Sequence, residues 1–224
     1  MDHNNRLANC PLCKSEAREP FHRDKRRDYY RCRSCGLTFI LPEQYLHAHA
    51  EKAEYDLHRN DPHDAGYRRF LGRLFEPMVE SLEPGSSGLD FGCGPGPALS
   101  VMFEEAGHEV ALYDYFYAHD KSVFHRKYDF ITATEVVEHL HHPGEELDRL
   151  WHCLKAGGRL GIMTKLALDK AAFSKWHYKN DLTHVCFFSE KTARWLAARW
   201  QAKVTFADKD VLIYDKLIKT ANPS

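Results

Sequence analysis

From residue 44 to about 83 the apolar positions repeat at three- and four-residue spacing. Tyr67, Phe70, Leu71, Leu74 and Met78 fall on one side of such a winding, which predicts a helix with a buried face that Pro77 kinks or ends. Beyond the turn-forming stretch Glu83-Pro84-Gly85-Ser86-Ser87-Gly88 the pattern changes to short apolar runs alternating with amphipathic ones. Gly88–Phe91, Glu109–Tyr113, Tyr128–Ala133 and Arg159–Thr164 read as strands, and Lys203–Ala207 and Val211–Ile218 as two closing strands. Between them Pro97 opens a helix with Leu99, Met102, Phe103 and Ala106 on one face, ended by Gly107. Pro143 opens another, with Leu147, Leu150, Trp151 and Leu154, stopped by Gly157-Gly158. Ser189 caps a third, using Ala193, Leu196, Ala197 and Trp200. Such alternation implies an α/β fold, a doubly wound, mostly parallel sheet with its ligand at the carboxyl ends of the strands.

The first 45 residues have neither period. They contain Cys10-Pro11-Leu12-Cys13 and Cys32-Arg33-Ser34-Cys35-Gly36, separated by 18 residues, with turns and a closing strand at Leu37–Leu41. Paired knuckles of this spacing present four thiolates to a tetrahedral ion, so a structural zinc ribbon is expected with Cys10, Cys13, Cys32 and Cys35 as ligands. A pair of disulfides is the alternative. Three domains follow: a zinc ribbon at 1–45, a helical linker packing on the core at 46–85, and a ligand-binding domain at 86–220.

Charge refines this only slightly. Residues 1–45 carry nine Lys and Arg against six Asp and Glu, and the whole chain has a net charge of −1. A mildly basic ribbon does not require a nucleic-acid partner. Lys25-Arg26-Arg27 with Arg31, Arg33 and Tyr29-Tyr30 offers a surface for an RNA backbone and bases, but a charge run is more often a solvated face. No apolar run approaches the roughly 20 residues that span a bilayer. The start, Met-Asp-His-Asn-Asn-Arg, lacks the apolar core of a secretory leader, so a cytoplasmic location is expected.

The most specific chemistry lies in Leu89-Asp90-Phe91-Gly92-Cys93-Gly94-Pro95-Gly96, where a strand meets a helix. Glycines there let a ligand approach the backbone closely. Prolines at 95 and 97 remove N–H donors that a pyrophosphate would need, so the loop suits a ligand without phosphates. Asp114, at the end of the next strand, is placed to accept hydrogen bonds from ribose hydroxyls.

The run Asp90-Phe91-Gly92-Cys93-Gly94-Pro95-Gly96 resembles motif I of class I S-adenosylmethionine-dependent methyltransferases. Tyr128-Asp129-Phe130-Ile131-Thr132-Ala133-Thr134-Glu135-Val136-Val137-Glu138-His139-Leu140 resembles their fourth-strand motif, and Leu154-Lys155-Ala156-Gly157-Gly158-Arg159-Leu160 the turn before strand five. The glutamate–histidine pair resembles the ubiquinone-type small-molecule branch. The resemblance spans about residues 86–218. It implies a seven-stranded Rossmann-like sheet, S-adenosylmethionine as cofactor, and Asp90, Gly92, Cys93, Gly94, Gly96, Asp114 and Glu135 as its contacts. Only some 15 residues separate Asp114 from Tyr128, too few for the family's usual helix, strand and adenine-binding acid. A shortened or missing third helix is expected, with Tyr115-Phe116-Tyr117 covering the adenine and Tyr115 among the cofactor contacts.

For catalysis, two histidines stand out as general bases for a hydroxyl or amine acceptor. His139 follows the fourth strand. His184 lies in the aromatic-rich segment Trp176 to Ser189, with Asp181 as its orienting partner. A small-molecule acceptor is expected, with oxygen slightly favoured. An RNA or protein methyltransferase and a non-catalytic cofactor-binding adaptor are the rival readings. Neither the acceptor nor the oligomeric state follows from sequence.

Overall fold

The computed structural model describes residues 9–57 and 60–218. The polar start discussed above and the last residues of the proposed third domain lie outside them.

The N-terminal part is a ribbon. β1 (Arg18–Arg23) and β2 (Asp28–Cys32) form an antiparallel hairpin, and β3 (Thr38–Phe39) pairs antiparallel with β2. α1 (Ala48–Tyr55) and α2 (Ala65–Val79) come next, so the long helical stretch expected over 44–83 is divided. α2 is capped by the Asp64 carboxylate, which accepts from the Tyr67 N–H, and it runs on past Pro77.

The main sheet then begins. β4 (Ser87–Phe91), α3 (Ala98–Glu105), β5 (Glu109–Tyr113), β6 (Tyr128–Thr134), α4 (Pro143–Cys153) and β7 (Leu154–Met163) are followed by α5 (Lys170–Lys175), β8 (Cys186–Phe187), α6 (Glu190–Trp200), β9 (Lys203–Asp208) and β10 (Val211–Asp215). The strand order is β5-β4-β6-β7-β10-β9; the first four are parallel, and β10 runs antiparallel to both β7 and β9. One face is covered by Leu71, Leu74 and Met78 of α2 with Leu99 and Phe103 of α3, packed on Phe130, Met163 and Ile213. The other is covered by Leu147, Leu150, Leu196 and Ala193, from α4 and α6. Full burial of each large side chain contributes about 1.5–3 kcal/mol, which fixes the strand ends that carry the site.

Two expectations need correcting. The sheet has six strands among the described residues, not seven. Asp114 bridges to Ala118 and one helical turn, Lys121–His125, leads directly into β6, so this stretch supplies neither a further strand nor a full helix. Gly157-Gly158 does not stop α4, which already ends at Cys153. β7 starts at Leu154, and the two glycines lie where its register against β6 shifts, between Tyr128↔Leu154 and Phe130↔Arg159, with Gly157 at φ +80°.

The ribbon is not a separate bead. Its four-stranded sheet has the order β1-β2-β3-β8, and β8 comes from the segment after β7. Residues of ribbon and main sheet share one continuous buried cluster.

Candidate active site

A single cavity of about 810 Å³ runs along the carboxyl ends of β4, β5 and β6. At one end are Asp90 to Gly96 and Asp114 to Tyr117; at the other are Glu135, His139, Lys165, Tyr178, Asp181 and His184. α1 borders it through Ala48, Glu51 and Tyr55.

The glycine end is built from contiguous sequence. Gly92 has φ +75°, and a Cβ there would overlap the Val136 side chain. A Cβ on Gly96 would overlap the carbonyl of Asn60, which crosses over the loop. The loop thus forms a cradle that side chains would fill. Asp114 ties it to the aromatic turn: its Oδ2 accepts from the Gly94 N–H at 3.0 Å, and its Oδ1 from the Phe116 and Tyr117 N–H groups at 2.8 and 3.1 Å. Asp90 is buried beneath the loop and accepts from the Thr132 hydroxyl at 2.9 Å; burial pushes its carboxyl up to about 6. The Cys93 thiol lines the cavity, and burial pushes it up to about 12, so it remains protonated rather than nucleophilic. Tyr115 lines the same end and is 64% exposed.

The opposite end is assembled from distant segments. Glu135 leaves β6 with φ +52°, a left-handed conformation rare for a side-chain-bearing residue, and this turns the chain inward. Three residues on, Glu138 is fully buried; it accepts from the Tyr178 hydroxyl and, at 3.0 Å, from the Thr164 hydroxyl. Burial first, and then the Glu135 carboxylate, push Glu138 up to about 8. Glu135 is raised too, by burial. The Tyr178 hydroxyl lies 3.3 Å from Glu135 Oε2, while Glu135 Oε1 is buried without a partner.

The two histidine rings meet edge to face, with centroids 4.6 Å apart. His184 Nδ1 lies 2.8 Å from the Tyr178 carbonyl, which fixes its proton on that nitrogen; burial lowers its pKa. His139 Nδ1 lies 3.3 Å from the Thr183 carbonyl. The Asp181 carboxylate chiefly builds a turn, accepting from the Thr183 N–H and hydroxyl at 2.8 and 2.6 Å, and stands 3.7 Å from His184 Nε2. The Tyr178 carbonyl, not Asp181, makes the hydrogen bond that orients the ring.

Several residues outside the expected set hold this end. Arg27, from the turn between β1 and β2, is 5% exposed. Its guanidinium donates to the carbonyls of His184 at 2.8 Å and Asp181 at 3.0 Å, to that of Lys179, and to the Tyr29 hydroxyl at 3.1 Å. Arg31 donates to the Leu168 carbonyl, Arg33 pairs with Glu19, and Tyr29 is buried. Arg27 and Tyr29 are therefore unavailable to an RNA. Glu138 and Tyr178 were also missed as partners; the only signal was Glu-x-x-Glu at three-residue spacing, which places both carboxylates on one side of a turn.

In the ribbon, Cys10 Sγ lies 3.6 Å from Cys35 Sγ, and Cys13 Sγ 3.5 Å from Cys32 Sγ. All four sulfurs lie within 4.8 Å of one another. A disulfide needs about 2.05 Å, whereas a tetrahedron with 2.3 Å metal–sulfur bonds has edges of about 3.8 Å. The cluster has the shape of a metal site.

Residues 63–205 match the model of a family described as a methyltransferase domain. The chain belongs to that family. With the fold and the glycine cradle, this makes it an S-adenosylmethionine-dependent methyltransferase. Among solved structures it is similar to the 1,6-didemethyltoxoflavin-N1-methyltransferase of Burkholderia thailandensis, solved with 1,6-didemethyltoxoflavin and S-adenosylhomocysteine. That match has 16% identity and a TM-score of 0.49, and covers 89% of this chain and 100% of that one. It is also similar to an O-methyltransferase family 2 protein of Planctomyces limnophilus in complex with apigenin, at 14% identity and TM-score 0.50, covering 79% of this chain and 64% of the other. No curated protein matches the chain. Among the described residues, no helix is long and apolar enough to cross a membrane.

Proposed function

We propose that this methyltransferase acts on a small-molecule acceptor, at oxygen in preference to nitrogen, and that its ribbon holds a structural zinc. The observation that carries the reading is the one cavity joining the glycine cradle to the histidine–carboxylate end. Gly92, Cys93, Gly94 and Gly96 would receive the cofactor's backbone-facing part, Asp114 its ribose hydroxyls, and Tyr115 and Phe116 its base, with Asp90 bracing the loop and Glu135 closing the far side. When bound, the cofactor supplies an activated methyl group on a sulfonium.

The chain's own contribution is positioning and proton handling. A hydroxyl held beside His139 and His184 is close to the His184 ring, whose pKa burial lowers, so that its Nε2 can take the proton, with Asp181 near enough to stabilise the resulting charge. Aromatic and apolar walls from Tyr55, Tyr67, Phe70 and Leu140 exclude water around it. The two large pools of rival substrates are separable by one assay. Radiolabelled cofactor is offered with metabolite extracts and with total RNA; label in small organic products supports the reading, and label only in RNA or protein overturns it.

A further inference from the structure

A second cavity, of about 1150 Å³, lies where the ribbon meets the β9 side of the main sheet. The β1–β2 hairpin, the stretch 165–168 after β7, the start of α6 and the turn between β9 and β10 wall it. We propose that this cleft is the second half of the acceptor site. It holds an anionic group, a phosphate or a carboxylate, carried on an extended arm of the small molecule that is methylated. The proposal rests on the small-molecule reading above and gives it a substrate class.

The charge of the wall carries the argument. Among the described residues it has six basic and four acidic side chains, and all four acids are already matched. Glu19 pairs with Arg33 at 2.9 Å, and Glu190 with Arg194 at 2.7 Å. Asp208 pairs at 2.8 Å with Arg73, which stands outside the wall, and Asp210 with the same guanidinium. Arg31, Lys165, Lys191 and Lys209 are left without a carboxylate among the described residues. Arg31 is half-buried; it spends Nε on the Thr38 hydroxyl and Nη2 on the Leu168 carbonyl, and Nη1 has no partner. Lys191 donates to the Arg33 carbonyl at 2.6 Å and keeps further N–H donors. Cations gathered in a concave wall without counter-charges favour an anion, which gains charge-assisted hydrogen bonds there.

The two cavities adjoin. Lys165 and His177 line both of them. Beside these, Trp176 lines the second cavity and Tyr178 the first, with ring centroids 5.0 Å apart. The Lys165 ammonium sits 5.0 Å from the centre of the Tyr178 ring, and its charge acts on Glu135 without forming an ion pair. A molecule with its hydroxyl at His184 can therefore extend past Lys165 and His177 into the second cleft. Leu166, Leu168, Trp176 and Phe206 offer apolar contact to the arm, and the four cations receive its end. The paired carboxylates in the same wall would oppose a polyanion laid along it, which favours a single anionic group over an RNA backbone. The ribbon then acquires a part in substrate choice, because Arg31 belongs to its hairpin.

The test uses the full chain with its ribbon metal in place. Hexyl phosphate, hexanoate and hexanol are titrated in by calorimetry. Either anion should bind in the millimolar range or tighter, well ahead of hexanol, and the tighter of the two names the anion. Lys191→Glu/Lys209→Glu exchanges two exposed side chains and should weaken that binding at least about tenfold, with S-adenosylhomocysteine affinity and the thermal transition unchanged. Absence of binding by both anions overturns the site, as do equal binding of hexanol and an unaltered affinity in the variant. Should the variant unfold, the salt dependence of the wild type decides: affinity that does not fall as potassium chloride rises from about 50 to about 500 mM overturns the proposal. A ten-uridine RNA that binds more tightly than hexyl phosphate, and weakens in the same variant, overturns the small-molecule occupant. In the radiolabel screen, small methylated products retained by an anion exchanger at neutral pH support the assignment. Small products that all pass through overturn it and leave the small-molecule reading standing, whereas label found only in RNA or protein overturns both.

Discussion

The two ends of the cavity are built in opposite ways. The cofactor end is local: seven consecutive residues, Asp90 to Gly96, and one carboxylate, Asp114, which reaches back to the Gly94 N–H. The acceptor end is long-range. His139, Tyr178 and His184 come from distant segments, and the ribbon's Arg27 holds carbonyls of the 179–184 segment, one of them 157 positions further along the chain. On the proposed reading, cofactor binding would rest on a motif that tolerates little, and acceptor choice on a loop whose shape is set from outside. The two ends should therefore fail separately.

The largest separation is expected from Arg27→Ala. Removing a buried guanidinium strands several backbone acceptors, and displacement of a reacting group by about 1 Å costs roughly 100-fold in rate. Turnover should fall by about that factor or more while S-adenosylhomocysteine affinity, measured by calorimetry, stays within about twofold. Parallel loss of both would show that the ends are not independent. Gly92→Ala probes the other end. A methyl at φ +75° against Val136 carries about 1–3 kcal/mol of strain, so cofactor binding should weaken roughly 5- to 150-fold. The Tyr178–His184 contacts should persist in ring-proton spectra; their disruption would contradict a local cradle. The smallest effect is expected from Tyr115→Ala. A ring this exposed contributes about 1 kcal/mol, which predicts a rise in the cofactor dissociation constant of roughly fivefold. An unchanged constant would remove Tyr115 from the cofactor site.

The same contrast explains what could be read from sequence. The glycine loop, the strand–helix alternation and the cysteine knuckles are written in neighbouring residues, and each lies in its expected element. The short Asp114–Tyr128 gap points to a reduced third helix, and in the structure it leaves the sheet one strand short as well. Gly157-Gly158 misled because glycines end helices and also sit in strand irregularities; only the register of β7 against β6 separates the two cases. Arg27 could not be found, since its basic neighbours Lys25 and Arg26 are exposed and nothing local marks one arginine of the run as buried. Glu138 was hidden similarly: its role appears only when Tyr178 and Thr164 arrive from other elements.

The strand β8 has a consequence for how the chain comes to be folded. It closes the ribbon's sheet against β3, and the neighbouring Ser189 hydroxyl donates to the Gly36 carbonyl, 153 positions earlier. During synthesis the knuckles emerge well before β8, the strand that completes their sheet. Loop closure over such a span is slow compared with local pairing. Until β8 docks, the ribbon would be an incomplete sheet with an unpaired edge at β3. Because Arg27 holds carbonyls of the segment just before β8, docking of that strand and seating of Arg27 would be coupled.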